Sequence, residues 1–191
     1  MKVRESGMPG ESVWNSFFNP ESILGKLELT EASVNIVEFG CGYGTFTIPA
    51  ARIVRGTVYA LDIEPEMLDI TRIHADEAQL TNIECIARDF IRDGTGLADA
   101  SVDYAMVFNI LHTEQPVKLL QEAYRVILDG GLLGITHWNY DATTPRGPAM
   151  EIRPRPEQCN QWAVEAGFTL ISDGILDLPP YHYGMALRRV V

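Results

Sequence analysis

One acid and three alternate glycines stand close together in the segment VNIVEFGCGYGTFTIP, residues 34–49: Glu38, Gly40, Gly42 and Gly44. An apolar stretch leads into the glycines, and a helix-compatible sequence follows them. A strand that enters a glycine turn and then a helix presents bare backbone N–H groups beside a partial positive charge. Glycine permits the unusual dihedral angles of such a turn and lets a ligand approach the backbone. The pattern predicts a site for a small polar or charged ligand.

Alternating strands and helices must position this loop. Hydrophobic periodicity predicts strands at residues 35–39, 57–61, 83–87, 102–108 and 132–138, and helices at 45–54, 64–79, 115–128 and 157–166. Asp129-Gly130-Gly131 is predicted to end the third of these helices. A sixth strand within 168–178 is joined to a seventh, 181–188, by Pro179-Pro180 alone, so the last strand must run antiparallel. The sequence predicts a three-layer α/β/α doubly wound sheet of seven strands, mostly parallel with an antiparallel last strand.

Composition limits the kind of partner. The 191 residues suit a single domain, with an N-terminal helical cap segment at residues 1–33 and the ligand-binding domain at 34–191. A net charge of −11 argues against nucleic acid, whose binding depends on Lys and Arg. The sequence carries no apolar run that could cross a membrane and no signal segment, so we expect a cytoplasmic protein. Both a monomer and a homodimer are compatible with the sequence.

Cysteine and histidine give no metal signature. Cys41, Cys85 and Cys159 form no C-x-x-C pair, and the first two are expected to be buried, unreactive thiols. The four histidines have no H-x-x-x-H spacing. We therefore expect no metal, and we expect His74 and His182 to be structural.

The glycine loop resembles motif I of the class I S-adenosylmethionine (SAM)-dependent methyltransferases. That motif is E-x-G-x-G-x-G after a first strand, whereas dinucleotide enzymes carry G-x-G-x-x-G, and here Thr45 replaces the last glycine of that fingerprint. The sequence VILDGGLLGI resembles motif V of the same family. The resemblance extends over residues 35–188, and it implies SAM as cofactor and S-adenosylhomocysteine as product.

The resemblance also implies a cofactor site. The loop would cradle the amino-acid end of SAM, with Glu38 near its ammonium, and the acid after strand two would accept hydrogen bonds from the ribose. The alternative for Asp62 is a helix cap, and the two roles can coexist. Asp89 and Phe90 would contact the adenine, although Asp89 could instead be a surface residue paired with Arg88 or Arg92. The implied cofactor residues are Glu38, Gly40, Cys41, Gly42, Gly44, Asp62, Ile63, Asp89, Phe90 and Asn109.

The sequence identifies the binding site of the methyl acceptor less clearly than that of the cofactor. Ligands bind outside the carboxyl ends of parallel strands, which places His112 and His137 in the reaction zone as weak candidates for a base or as pocket-lining residues. The aromatic segment 13–18 forms either a helix packed on the sheet or a lid. The long, proline-rich connection 139–156 is either a substrate loop or surface decoration. The candidate substrate-binding residues are Trp14, Phe17, His112, Trp138 and Tyr140.

The sequence therefore predicts a methyltransferase that acts on a small molecule. An enzyme of this kind mainly needs to align the acceptor with the activated methyl group, so no metal is required. Two alternatives remain. A SAM-binding module without catalysis would share every cofactor motif and would differ by a blocked acceptor pocket. An NAD(P)-dependent oxidoreductase would share the loop and Asp62, but the glycine spacing and the antiparallel ending oppose it.

Overall fold

The computed structural model describes residues 8–171 and 174–190, so the first seven residues of the predicted cap segment lie outside the described part. The helices are α1 (Glu11–Asn15), α2 (Pro20–Lys26), α3 (Thr47–Ile53), α4 (Pro65–Glu77), α5 (Pro116–Val126) and α6 (Pro156–Glu165). The strands are β1 (Ile36–Phe39), β2 (Val58–Asp62), β3 (Ile83–Ala87), β4 (Val102–Phe108), β5 (Ile127–Trp138), β6 (Phe168–Leu170), β7 (Leu176–Leu178) and β8 (His182–Arg189).

The strands form one sheet in the order β3-β2-β1-β4-β5-β8-β6, and β7 also pairs with β8. Strands β1 to β5 are parallel, and β8 runs antiparallel to β5, β6 and β7. The predicted doubly wound sheet with an antiparallel last strand is confirmed. The predicted sixth strand is divided into β6 and β7, so the described residues form a sheet of eight strands where seven were predicted. Gly174, with φ of +107°, leaves the extended conformation between them.

Helices cover both faces of the sheet and produce the predicted three layers. Ile23 and Leu24 of α2 and Ala50 of α3 pack with the strand residues of one face, and Leu68 of α4 packs there on β2. On the other face, α5 and α6 bury a larger apolar cluster against β1, β4, β5 and β8. Burial of this apolar surface is the main stabilising contribution.

Proline sets the starting points of four helices. α2, α4, α5 and α6 each begin at a proline: Pro20, Pro65, Pro116 and Pro156. The first N–H of a helix has no intrahelical acceptor, so proline is tolerated there and its fixed φ favours the helix. None of the helices in the described ranges is long and apolar enough to cross a membrane.

The junction of α5 and β5 differs from the prediction. The helix ends at Val126, two residues before the predicted end, because Ile127 is already extended and pairs with Val102 of β4. The next residue pair is Tyr104 with Leu132, so four residues of β5 bulge out of the pairing. Gly130, with φ of +79°, lies in this bulge. The glycine turn was therefore predicted at the right place, but it interrupts a strand and does not end the helix.

Candidate active site

The glycine loop joins β1 to α3 at the carboxyl edge of the sheet. Gly40, Gly42 and Gly44 have φ of +80°, +52° and +76°, a region that favours glycine over other residues. The N–H groups of Gly40 and Cys41 both donate to the carbonyl of Leu61 in β2, at 2.9 Å each. The loop is thus held against the neighbouring strand by its own main chain.

Glu38 is buried beneath this loop. Its side chain is on the face of the sheet that α3 covers, where the Thr47 hydroxyl donates a hydrogen bond to Oε2. Burial raises the pKa of Glu38 to about 8, the negative charge of Asp62 adds to this rise, and the Thr47 hydrogen bond opposes it. Near neutral pH the carboxyl group is therefore mostly protonated when no cation is beside it.

Asp62 is the last residue of β2 and contacts the glycine loop directly. Its Oδ2 accepts the N–H of Gly42 at 2.9 Å, and its Oδ1 accepts the N–H of Glu64 at 3.0 Å, just before α4. The second contact goes to the N–H of Glu64, the N-cap residue of α4, and not to an N–H of the first helical turn, so it is not the helix cap that was predicted as an alternative. Burial raises the pKa of Asp62, and the backbone hydrogen bonds oppose that rise. Ile63, beside it, is 38% exposed at the surface.

Asp89 and Phe90 follow the carboxyl end of β3. The Asp89 carboxylate accepts the backbone N–H of Arg92 at 3.0 Å, while the Arg92 guanidinium binds Asp93. Phe90 is buried and packs edge-on against Phe39 of β1, with ring centroids 5.3 Å apart. Because β1, β2 and β3 are parallel neighbours, the glycine loop, Asp62 and Asp89 follow successive strand ends along one edge of the sheet.

Asn109 and two histidines occupy the carboxyl ends of β4 and β5. Asn109 is buried with φ of +58°, a conformation rare outside glycine, and its amide atoms have no partner among the described residues. His112 Nδ1 lies 3.3 Å from His137 Nε2. Burial lowers the pKa of His137 well below its usual value, and the neighbouring His112 lowers it further. His137 is therefore a neutral hydrogen-bonding group.

Rings from five parts of the chain form an aromatic cluster where β5 ends and β8 begins. Its members are Trp14, Phe17, Phe18, Phe46, Phe108, Trp138, Tyr181 and His182. Trp138 is fully buried, with His182 at 4.3 Å and Phe17 at 5.3 Å between ring centroids. Burial lowers the pKa of His182 to about 3, so this imidazole is neutral.

The N-terminal segment contacts this cluster and the glycine loop. α1 has no buried residue, but Trp14 packs on Phe18 and Trp138. On its other side, the Thr45 hydroxyl donates to Asn15 Oδ1 at 2.7 Å, and the Tyr43 hydroxyl donates to the Pro9 carbonyl at 3.1 Å. The segment therefore packs on the end of β5 and also contacts the glycine loop, and its role as a lid stays a prediction.

Arg153 organises the connection between β5 and α6. It is 7% exposed, and its guanidinium donates to the Thr144 hydroxyl and to the carbonyls of Asn139, Asp141, Arg146 and Pro148. The predicted substrate residue Tyr140 is half-buried, and the Arg155 guanidinium lies 3.7 Å from its ring centroid. A groove of about 370 Å³ separates this connection from α6.

Sequence reasoning missed several of these residues. Thr47 of α3 binds the Glu38 carboxyl group beneath the loop, and Thr71 of α4 supports the loop itself by donating to the Gly42 carbonyl at 3.0 Å. Nothing in their local sequence distinguishes them from other helical threonines. Arg153 is one of three arginines in the connection 139–156, and nothing in the sequence distinguishes it from the other two, because its burial depends on the path of the whole segment. Cys41 is buried, as predicted, whereas Cys85, which was also predicted to be buried, is half-buried.

Comparison with known proteins identifies the family. A model of the methyltransferase domain matches residues 36–131, half of the chain. A demethylmenaquinone methyltransferase of Listeria welshimeri is 30% identical over 111 residues, 56% of this chain and 46% of that protein. An aklanonic acid methyltransferase of Streptomyces sp. (strain C5) is 28% identical over 143 residues, 69% of this chain and 63% of that protein. The chain thus spans about half the length of the curated relatives it matches.

Solved structures share the fold. A SAM-dependent methyltransferase from Aquifex aeolicus superposes with a TM-score of 0.82, at 23% identity, over 94% of this chain and 94% of that chain. The family match covers the glycine loop, Asp62, Asp89 and Asn109. The chain belongs to the class I SAM-dependent methyltransferase family.

Proposed function

We propose that this protein transfers the methyl group of SAM to a small-molecule acceptor. In this reaction the acceptor atom forms a bond to the methyl carbon, the carbon–sulfur bond breaks, and its electron pair neutralises the sulfonium. S-adenosylhomocysteine is the second product. The relatives named for demethylmenaquinone and aklanonic acid support a small acceptor.

The observation that carries the proposal is the arrangement of three strand ends. The positive-φ glycine loop, Asp62 and Asp89 follow the adjacent strands β1, β2 and β3. In the proposed site, loop N–H groups and Glu38 bind the amino-acid end of SAM, Asp62 binds the ribose hydroxyls, and Asp89 binds the adenine amino group. Cys41, Ile63, Phe90 and Asn109 complete the site as contacts, and the family implies the cofactor.

Alignment and exclusion of water are the contributions that this chain's residues would make to catalysis. We propose that the cap segment 1–33, of which the structure describes residues 8–33, covers the 34–191 domain through these described residues, and that Pro9 and the α1 residue Asn15 close over the loop through their contacts. Trp14, Phe17, Trp138 and Tyr140 would hold the acceptor. His112 would accept a proton where the acceptor must lose one, with His137 as its neutral hydrogen-bond partner.

Titration calorimetry tests the proposal most directly. We expect micromolar binding of SAM and S-adenosylhomocysteine and none of NADH. Asp62→Ala should weaken SAM binding about ten-fold or more, because hydrogen bonds to a charged group contribute roughly 1.5–3 kcal/mol. Asp69→Ala, which removes an exposed carboxylate of α4, is the matched control. Binding of NADH alone would refute the proposal, and unchanged affinity in Asp62→Ala would remove the ribose assignment.

A further inference from the structure

The connection between β5 and α6 buries the positive charge of Arg153, which donates no hydrogen bond to a carboxylate of the described residues. Within the described residues, the acceptors of the Arg153 guanidinium are four carbonyls and one hydroxyl. Asp141 is the carboxylate that acts on Arg153 through its charge, but it is exposed and its Oδ1 accepts hydrogen bonds from Thr143. A buried cation that is not neutralised in this way attracts an anionic ligand.

The groove beside this cation combines aromatic and cationic walls. Its lining includes the aromatic residues Tyr140 and Trp162, the cationic residues Arg153 and Arg155 and the acidic residue Glu151, together with neutral residues of the connection and of α6. The whole chain carries a net charge of −11, so an excess of positive charge is a local feature. The volume of about 370 Å³ is within the range of small-molecule sites.

The groove adjoins the proposed reaction zone on two sides. A Cβ built on Gly147 would lie 2.6 Å from Arg153 Nη2 and 3.0 Å from Trp138 Cγ, so the guanidinium and the indole at the end of β5 meet there. On the α6 side, the Tyr183 hydroxyl donates to the Pro154 carbonyl at 3.1 Å, and the Tyr183 ring stacks on His137. A ligand in the groove would therefore lie beside the ends of β5 and β8.

The charge of Arg153 acts over this zone. It contributes to the lowered pKa of both His137 and His182, although burial is the larger cause for each. The positive charge of Arg153 repels an ammonium group and attracts an oxygen anion in this zone. Both interactions are stronger away from water.

We propose that this groove extends the acceptor site of Trp14, Phe17, Trp138 and Tyr140, with Tyr140 common to both, and that it selects planar, apolar acceptors that carry an anionic oxygen. The assignment rests on the proposed methyl transfer and names the acceptor class for it. Tyr140 and Trp162 supply the surfaces for a flat ring system, and Arg153 and Arg155 supply the charge. Cationic amines are excluded as acceptors at this site.

Three ligands of matched shape test the selection on the wild-type protein saturated with S-adenosylhomocysteine: 2-naphthoate, 2-naphthol and 2-naphthylmethylamine. By calorimetry at neutral pH, we expect affinity to fall in that order, with about ten-fold or more between the anion and the cation. Added salt should narrow the difference, because it screens the charges. Equal affinities, or tighter binding of the amine, would overturn the inference.

Substitution of exposed charged residues at the groove tests whether the preference for an anion arises there, without disturbing Arg153. Arg155→Gln should weaken naphthoate about three- to ten-fold and leave naphthol unchanged, and Glu151→Gln should strengthen naphthoate. Arg146→Gln is the control, since it removes the same charge from the same connection at an exposed position that does not line the groove. Equal losses of naphthoate affinity in the Arg155 and Arg146 variants would show that the effect depends only on the net charge of the protein. That result would refute the site.

The binding of S-adenosylhomocysteine separates this inference from the proposed function. A protein that binds the product but shows no preference among the three ligands retains its proposed function and refutes the acceptor class. A protein that binds no S-adenosylhomocysteine refutes both, because the acceptor class depends on methyl transfer.

Discussion

The two halves of the sheet's carboxyl edge are built differently. Along β1, β2 and β3, the candidate groups are main-chain N–H groups and carboxylates that directly follow strands. Around β4, β5 and β8, they are side chains that come from α1, from the 139–156 connection and from strand ends far apart in sequence. The first half depends on backbone geometry, and the second depends on packing. Changes to the backbone should therefore damage the first half abruptly, and changes to side chains should modify the second half gradually.

The largest effect is expected at Gly44. Its φ of +76° disfavours any side chain, and a Cβ there would lie 3.1 Å from Thr71 Oγ1 and 3.2 Å from Thr71 Cγ2. Gly44→Ala should lower the free energy of unfolding by about 2–4 kcal/mol, from backbone strain and overpacking. SAM affinity should fall about thirty-fold or more as the loop shifts, which calorimetry would measure.

Gly130 provides the matched control for that experiment. It has a similar φ of +79°, but a Cβ there meets no atom within 4 Å. Gly130→Ala should therefore lower the free energy of unfolding by only about 1–2 kcal/mol and leave SAM affinity unchanged. Equal SAM affinities in the two variants would contradict the dependence of the first half on backbone geometry.

The difference between the halves also decides what the sequence could predict. Strand ends, the glycine spacing and the antiparallel ending follow from periodicity and turn chemistry, which are local. The position of Asp62 followed from the length of one βαβ unit. The partners of Arg153, in contrast, are carbonyls spread over ten residues of irregular chain, and the imidazole of His182 meets Phe18 only through folding. No local pattern encodes either contact.

A pH-dependent effect is expected at Glu38, where the side-chain charge acts in addition to the backbone geometry. Its pKa is about 8 in the folded protein and 4.5 ordinarily. Between these values the folded state keeps a proton that the unfolded state has lost, so the free energy of unfolding should decrease as pH rises from 4.5 to 8. Glu38→Gln should remove this decrease, as denaturant unfolding at several pH values would show. Glu84→Gln, at an exposed position of β3, should retain it.

The same carboxyl group predicts a proton released on SAM binding. A bound ammonium beside Glu38 favours the ionised carboxylate, so binding near neutral pH should release a proton. Calorimetry in two buffers with different ionisation enthalpies measures that proton directly. Glu38→Gln should abolish the release and weaken SAM about ten-fold. A wild-type protein that releases no proton would place the ammonium away from Glu38.

The smallest effects are expected in α1, where two neighbouring residues contact different halves of the sheet edge. Trp14 and Asn15 are neighbours in α1, yet Trp14 packs on Trp138 of the aromatic cluster and Asn15 accepts the Thr45 hydroxyl of the glycine loop. Trp14→Ala should raise the KM of the acceptor about three- to ten-fold with little change in SAM affinity. Asn15→Ala should weaken SAM about two- to five-fold, the loss of one hydrogen bond, with little change in the acceptor KM.

Val13→Ala is the control for both variants, because Val13 is 47% exposed on the same helix. Both constants should stay at wild-type values in it. If Trp14→Ala and Asn15→Ala instead changed both constants together, α1 would act as a single cover that opens for cofactor and acceptor alike. In that case the two halves would not act independently, because α1 would couple the glycine loop to the aromatic cluster.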